Sequence, residues 1–115
     1  MAANYRPRRA SKKWLDGDCP SGVLAIFDNR GKTIDRYTVV YAEPITYDDN
    51  SMWIGLRDMS ADPFHPQGIG IYGEYPANVI ANWRYRNKHH AARWTALPEP
   101  VQCAVLLDLV EGKGN

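Results

Sequence analysis

Apolar residues in this chain gather into short runs divided by turn-forming clusters. Val23-Leu24-Ala25-Ile26-Phe27 is apolar without interruption, Asp28-Asn29-Arg30-Gly31 follows as a turn, and residues 34–41 are rich in β-branched and aromatic side chains. That order is the signature of a β-hairpin. In the second run, Tyr37, Val39 and Tyr41 alternate with Arg36, Thr38 and Val40, so one face is the more apolar. The sheet is therefore expected to cover a core on one side. Glu43-Pro44 ends this run, a polar turn spans residues 47–51, and Met52-Trp53-Ile54-Gly55-Leu56-Arg57 reads as a third strand. From residue 59 to 68, Pro63, Pro66 and Gly68 forbid regular structure and predict an ordered loop. Residues 68–73 alternate glycine with apolar residues and suggest a fourth, short strand or a close backbone approach.

Helical spacing appears twice. Residues 76–83 place Val79, Ile80 and Trp83 on one side, with Pro76 in the first turn. Residues 98–109 are the firmer helix, opened by Pro98. Cys103, Leu106, Leu107 and Val110 fall at i, i+3, i+4 and i+7, and Val101, Ala104 and Val105 broaden the stripe. Such a stripe is expected to be mostly buried, and Gly112 to end the helix. The fold class these elements predict is α+β, a small antiparallel sheet of three to four strands packed against a C-terminal helix. The same pattern predicts a basic mobile arm and turn-rich junction over residues 1–22, a single domain over residues 23–112 and a tail over residues 113–115.

With 115 residues and 44% hydrophobic side chains, the chain can close one small core. A net charge of +1 gives no global pull toward nucleic acid or acidic lipid, so such binding must come from a local patch. No apolar run approaches the ~20 residues that span a bilayer, and the N-terminus lacks a signal-peptide core, which predicts a cytoplasmic protein. Cys19 and Cys103 are too few for a disulfide scaffold and read as buried or half-buried reduced thiols.

Three punctuated segments carry a resemblance. They are Asp35-Arg36-Tyr37-Thr38-Val39, then Met59-Ser60 with Asp62-Pro63-Phe64-His65-Pro66-Gln67-Gly68, and finally Leu97-Pro98-Glu99. In this pattern the chain resembles a family of small phage, prophage and mobile-element proteins, over about two thirds of its length, and the heptad from Asp62 is the most specific part. Members often carry Gly-Lys-Arg shortly before Leu-Pro-Glu, where this chain reads His89-His90-Ala91-Ala92-Arg93-Trp94. The resemblance implies an origin, with an anti-defence inhibitor as one version of the role, and brings no catalytic residues.

Candidate chemistry lies in four places. Trp83, Arg84, Tyr85, Arg86, Lys88, His89, His90, Arg93 and Trp94 interleave cations with aromatics. Cations neutralise phosphates and aromatic faces stack bases, but Trp, Tyr and Arg equally dominate protein-protein hot spots. A third reading is a solvated connector anchored by its aromatics. Arg6, Arg8 and Arg9 in the arm, with Lys12 and Lys13, either track a phosphate backbone or merely solubilise. Asp58, Asp62, His65 and Glu74 have the ligand types of a divalent-metal hydrolase, yet their spacing shows no convergent set. A loop fixed by Asp62 and a hydrogen-bonded His65 is preferred, and no metal or cofactor is expected. Phe64, His65 and Gln67 could be a stiff binding tip, against a Phe64 folded back as a core plug, which is favoured slightly. Cys103 as a nucleophile is discounted as a small hydrophobe on the helix stripe. The function expected is a non-enzymatic interaction protein binding a host or phage macromolecule, a protein or a protein–nucleic-acid complex. The alternatives are direct nucleic-acid binding and a small metal-dependent hydrolase.

Overall fold

The structure is a computed structural model and describes residues 19–112. The arm, with Arg6, Arg8 and Arg9, and the tail lie outside the described residues. Five strands, β1 (Val23–Asp28), β2 (Tyr37–Tyr41), β3 (Ile45–Thr46), β4 (Met52–Met59) and β5 (Ile69–Pro76), form one antiparallel sheet. Helix α1 (Ala77–Arg86) follows directly, two 3-10 turns (Lys88–His90 and Trp94–Ala96) connect, and α2 (Glu99–Val110) closes the domain. The fold is α+β, as the pattern of runs predicts.

Register explains the sheet's shape. β2 pairs with β4 from Tyr37↔Met59 to Val40↔Leu56, and β3 continues along the same edge with Ile45↔Trp53. β5 takes the other edge of β4, from Trp53↔Pro76 to Met59↔Ile69. β1 lies outside β2, and a register shift between Val23 and Ala25 turns Leu24 and Ala25 to the same side. The third and fourth strands are longer than the sequence suggests, because Asp58 and Met59 extend β4 while Glu74 to Pro76 extend β5.

The sheet is covered on both faces, which corrects the one-sided expectation. Tyr37, Val39, Tyr41 and Met59 meet Val101, Ala104 and Val105 of α2. On the opposite face Leu24, Phe27, Val40 and Ile54 meet Ile80 and the half-buried Trp83 of α1. β1 and β2 are apolar and buried over nearly their whole length, as strands covered on both sides must be.

Helix α2 also docks by a different face from the one expected. Val101, Ala104, Val105 and Asp108 are buried, whereas Cys103, Leu106, Leu107 and Val110 are exposed. The physical reason is polar. Asp108 accepts hydrogen bonds from Arg57 Nε at 2.8 Å, Arg57 Nη2 at 3.0 Å and the Tyr41 hydroxyl at 2.5 Å, and all three donors stand on the sheet. Burying a lone carboxylate is costly, so the helix turns the face that carries it toward these partners. Cys103 is accordingly a surface thiol, while Cys19 is half-buried. Pro98 takes the N-cap position of α2 and Pro100 lies in its first turn. Gly112, at φ 98°, follows the helix end.

Candidate functional site

The basic-aromatic segment divides into an inward and an outward set. Pro76 caps α1, and Ile80 and Trp83 point to the sheet. The Trp83 ring packs edge-on against Phe27 with centroids 4.8 Å apart. Tyr85, Arg86, Lys88, His89 and Arg93 are exposed, Arg84 is half-buried, and Lys88 Nζ lies 4.0 Å from the centroid of the Tyr85 ring. Arg84 and Arg86 occupy the last turn of α1, where cations complement the helix dipole. Trp94 is half-buried against the core under α2, and its carbonyl accepts the Gln102 amide at 2.9 Å. Two of the three aromatics in the segment therefore anchor it, and Tyr85 alone is displayed.

The segment is held tightly at its C-terminal end. Asn87 donates from its side chain to the Trp83 carbonyl at 2.9 Å, ending the helix. His90 Nδ1 lies 3.1 Å from the Asp28 carbonyl oxygen, and Ala92 N–H donates to the Ile26 carbonyl at 2.8 Å. Ala91 bridges Phe27 on the outer edge of β1. Asp28 is itself fixed by Arg36 at 2.7 Å. That hydrogen bond holds its carboxyl below the usual range, although partial burial opposes the shift.

Beneath α1 lies a cleft of about 530 Å³. Leu56, Tyr75, Val79, Ile80 and Trp83 form its apolar walls, and Asn29, Asp35, Thr38, Asp58, Asn87 and His90 supply its polar groups. On its floor Asn29 Nδ2 donates to Thr38 Oγ1 at 2.7 Å, and Thr38 Oγ1 donates to Asp58 Oδ1 at 2.6 Å. Trp83, His90 and Asp58, candidates from two separate parts of the sequence, thus line one space. Asn29, Asp35, Thr38, Tyr75 and Asn87 belong to it too, and sequence reading missed them. Thr38 and Asp58 are directly paired across β2 and β4, a juxtaposition with no local signal because it depends on register.

The other acidic candidates disperse. Glu74 accepts the Tyr47 hydroxyl on the far part of the sheet, and Asp58 is committed to Thr38. Among the described residues, no group of three or more His, Cys, Asp or Glu is placed to hold a metal ion. The loop of residues 60–68 is built as an ordered turn. His65 N–H donates to the Asp62 carbonyl at 3.2 Å, Gln67 N–H donates to His65 Nδ1 at 3.2 Å, and Gly68 N–H donates to the His65 carbonyl at 2.8 Å. It is the main chain of Asp62 that participates. A Cβ on Gly68 would lie 2.0 Å from the Asp62 carbonyl oxygen, so only glycine fits there. Phe64 is 57% exposed, which corrects the core-plug expectation, since Pro63 takes the buried position beside it. His65 and Gln67 are exposed at the same tip, beside Lys32 and Ile34.

Among the described residues no helix is long and apolar enough to cross a membrane. Compared with protein-family models, curated proteins and solved structures, the chain matches none.

Proposed function

We propose that this is a non-enzymatic interaction protein that binds an acidic macromolecular surface through Tyr85, Arg86, Lys88, His89 and Arg93. The observation that carries the reading is the mounting of these side chains. They project from a helix end and turn that Trp83, Asn87, His90, Ala92 and Trp94 pin to the sheet and core. Side chains held on a fixed frame lose less freedom on binding, and exposed Tyr and Arg are the residue types that anchor hot spots. The inward turn of Trp83 and Trp94 leaves one exposed aromatic, a poor stacking ladder for successive bases, which favours a protein partner. Phage or mobile-element origin, with anti-defence as its sharpest version, is supported by the motif resemblance alone.

The test is affinity capture from bacterial lysate, with and without nuclease, comparing the intact chain with a Tyr85→Ala/Arg86→Ala double variant. The expected result is a partner that survives nuclease and is lost with the double variant. Loss on nuclease treatment, with affinity falling steeply as salt rises, would instead assign direct nucleic-acid binding. Capture indifferent to the double variant would remove the surface from consideration.

A further inference from the structure

We infer that the cleft beneath α1 is a binding site for a guanidinium or similar organic cation rich in N–H donors. Hydrogen bonding fixes where the protons of the cleft lie. Asp35's main-chain oxygen accepts from Asn29 Nδ2 at 3.1 Å, so that end of the Asn29 amide is the nitrogen and its carbonyl oxygen is left over. The same nitrogen donates to Thr38 Oγ1, whose only hydrogen then goes to Asp58 Oδ1. Asp58 keeps a second carboxylate oxygen. Asn87 likewise gives one amide hydrogen to the Trp83 carbonyl and keeps the second, together with its oxygen. His90 Nδ1 faces the Asp28 carbonyl, an acceptor, and therefore donates to it.

Each of these bonds uses a donor and leaves an acceptor, and one Asn87 amide hydrogen stays available. The Asp58 carboxylate and two amide oxygens remain, beside an Asp35 carboxylate of which one oxygen already accepts the Thr33 hydroxyl at 3.0 Å, and no lysine or arginine lines the space. An anion would meet repulsion and few donors there. A planar cation with several N–H groups meets complementary atoms at the floor, and Trp83 and Tyr75 at the walls are the aromatic types that attract a cation. At about 530 Å³ the cleft is within the range of small-molecule sites and well above one side chain in size. The site is distinct from the outward surface of α1 and does not depend on a partner there.

A guanidinium reaches such a cleft either as a free metabolite or as an arginine side chain of a polypeptide. Three probes separate the possibilities: agmatine, a Gly-Arg-Gly peptide, and an agmatine analogue in which a neutral urea replaces the guanidinium. Each is titrated into the full chain while the indole resonance of Trp83 and the side-chain amides of Asn29 and Asn87 are followed by NMR. Saturable shifts with agmatine or the peptide are expected, with the urea at least about tenfold weaker because the charge-assisted bonds are lost. Tighter binding of the peptide assigns a macromolecular arginine, and tighter binding of agmatine a free small molecule. Asp58→Asn should weaken the cation about tenfold in a spectrum that remains folded. Should that variant not fold, Asp35→Asn at the exposed rim is expected to weaken binding in the same direction. Absence of saturable shifts, equal affinity for cation and urea, or full affinity in the folded carboxamide variants would overturn the proposal.

Discussion

Arg57 grips Asp108 through two nitrogens, Nε at 2.8 Å and Nη2 at 3.0 Å, across the interface between β4 and α2. Its third nitrogen donates to the Gly70 carbonyl at 2.8 Å, so every branch of the guanidinium is used. Burial works against the charge of Arg57, and the neighbouring carboxylate outweighs it, leaving the group above its ordinary pKa. The side chains of Arg57 and Asp108 retain only 13% and 6% of their exposure. Asp108→Ala strands that cation and the Tyr41 hydroxyl, and a loss of about 3 to 5 kcal/mol is expected in urea titration.

Tyr41 gives the pair a signature at alkaline pH. Burial, and then donation to Asp108, push its hydroxyl far above the usual tyrosine range. The folded state thus keeps a proton that the unfolded chain gives up near pH ~10, so stability is complete below that value and falls as pH rises beyond it. Tyr41→Phe should flatten this fall by about one proton. Tyr37 and Tyr72, raised chiefly by burial, leave a residual slope. Urea midpoints measured across the alkaline range read this directly.

The outer face of α2 should be silent in stability. Leu106→Ser, at a position 45% exposed, is expected to change unfolding free energy by no more than about 0.5 kcal/mol. Val105→Ala, at a fully buried position one residue away, should cost about 2 kcal/mol. Equal costs from thermal and denaturant unfolding of the two variants would contradict the orientation of the helix.

Gly68→Ala tests the loop. The clash it introduces is with main-chain oxygen, which cannot swing aside as a side chain does, and about 1 to 3 kcal/mol of overpacking cost follows. Phe64→Ala, at the exposed tip of the same loop, should leave the melting temperature nearly unchanged.

Binding and folding separate cleanly along the basic-aromatic segment. Trp94→Ala opens a gap beside the core and should lose about 3 kcal/mol, whereas Tyr85→Ala, 70% exposed, should stay within about 0.5 kcal/mol of the parent. A partner affinity lost in Tyr85→Ala therefore reports the interface.

The α+β class and the first hairpin were legible because Val23 to Phe27 and residues 34–41 are bounded by strong turn residues, whereas the two-residue β3 carried no such signal. The double cover of the sheet was missed, because the alternation along residues 36–41 pointed to one apolar face, although the unbroken apolar run of β1 is typical of strands buried on both faces. The docking face of α2 was not legible either. Its sequence is apolar almost all round, so spacing cannot choose between Leu106-Leu107 and Val101-Val105. A charged residue chooses instead, through partners 51 and 67 positions away. Thr38 with Asp58, and His90 with Asp28, were hidden for the same reason, since 20 and 62 residues separate them. Hydropathy reports which residues avoid water, and says nothing of which polar atoms will find each other.

That separation in sequence also bears on folding speed. β1 with β2, and β4 with β5, pair between neighbouring segments and close short loops. Tyr41 must wait for a carboxylate delivered from 67 positions downstream. The entropy of closing so long a loop grows only as the logarithm of its length, but distant contacts slow folding far more than they weaken a finished fold. Seating α2 on the sheet, like docking Ala91 and Ala92 on β1, adds to the non-local contacts that slow a fold of this kind, and it is what closes over the aromatic face of Tyr37 and Tyr41.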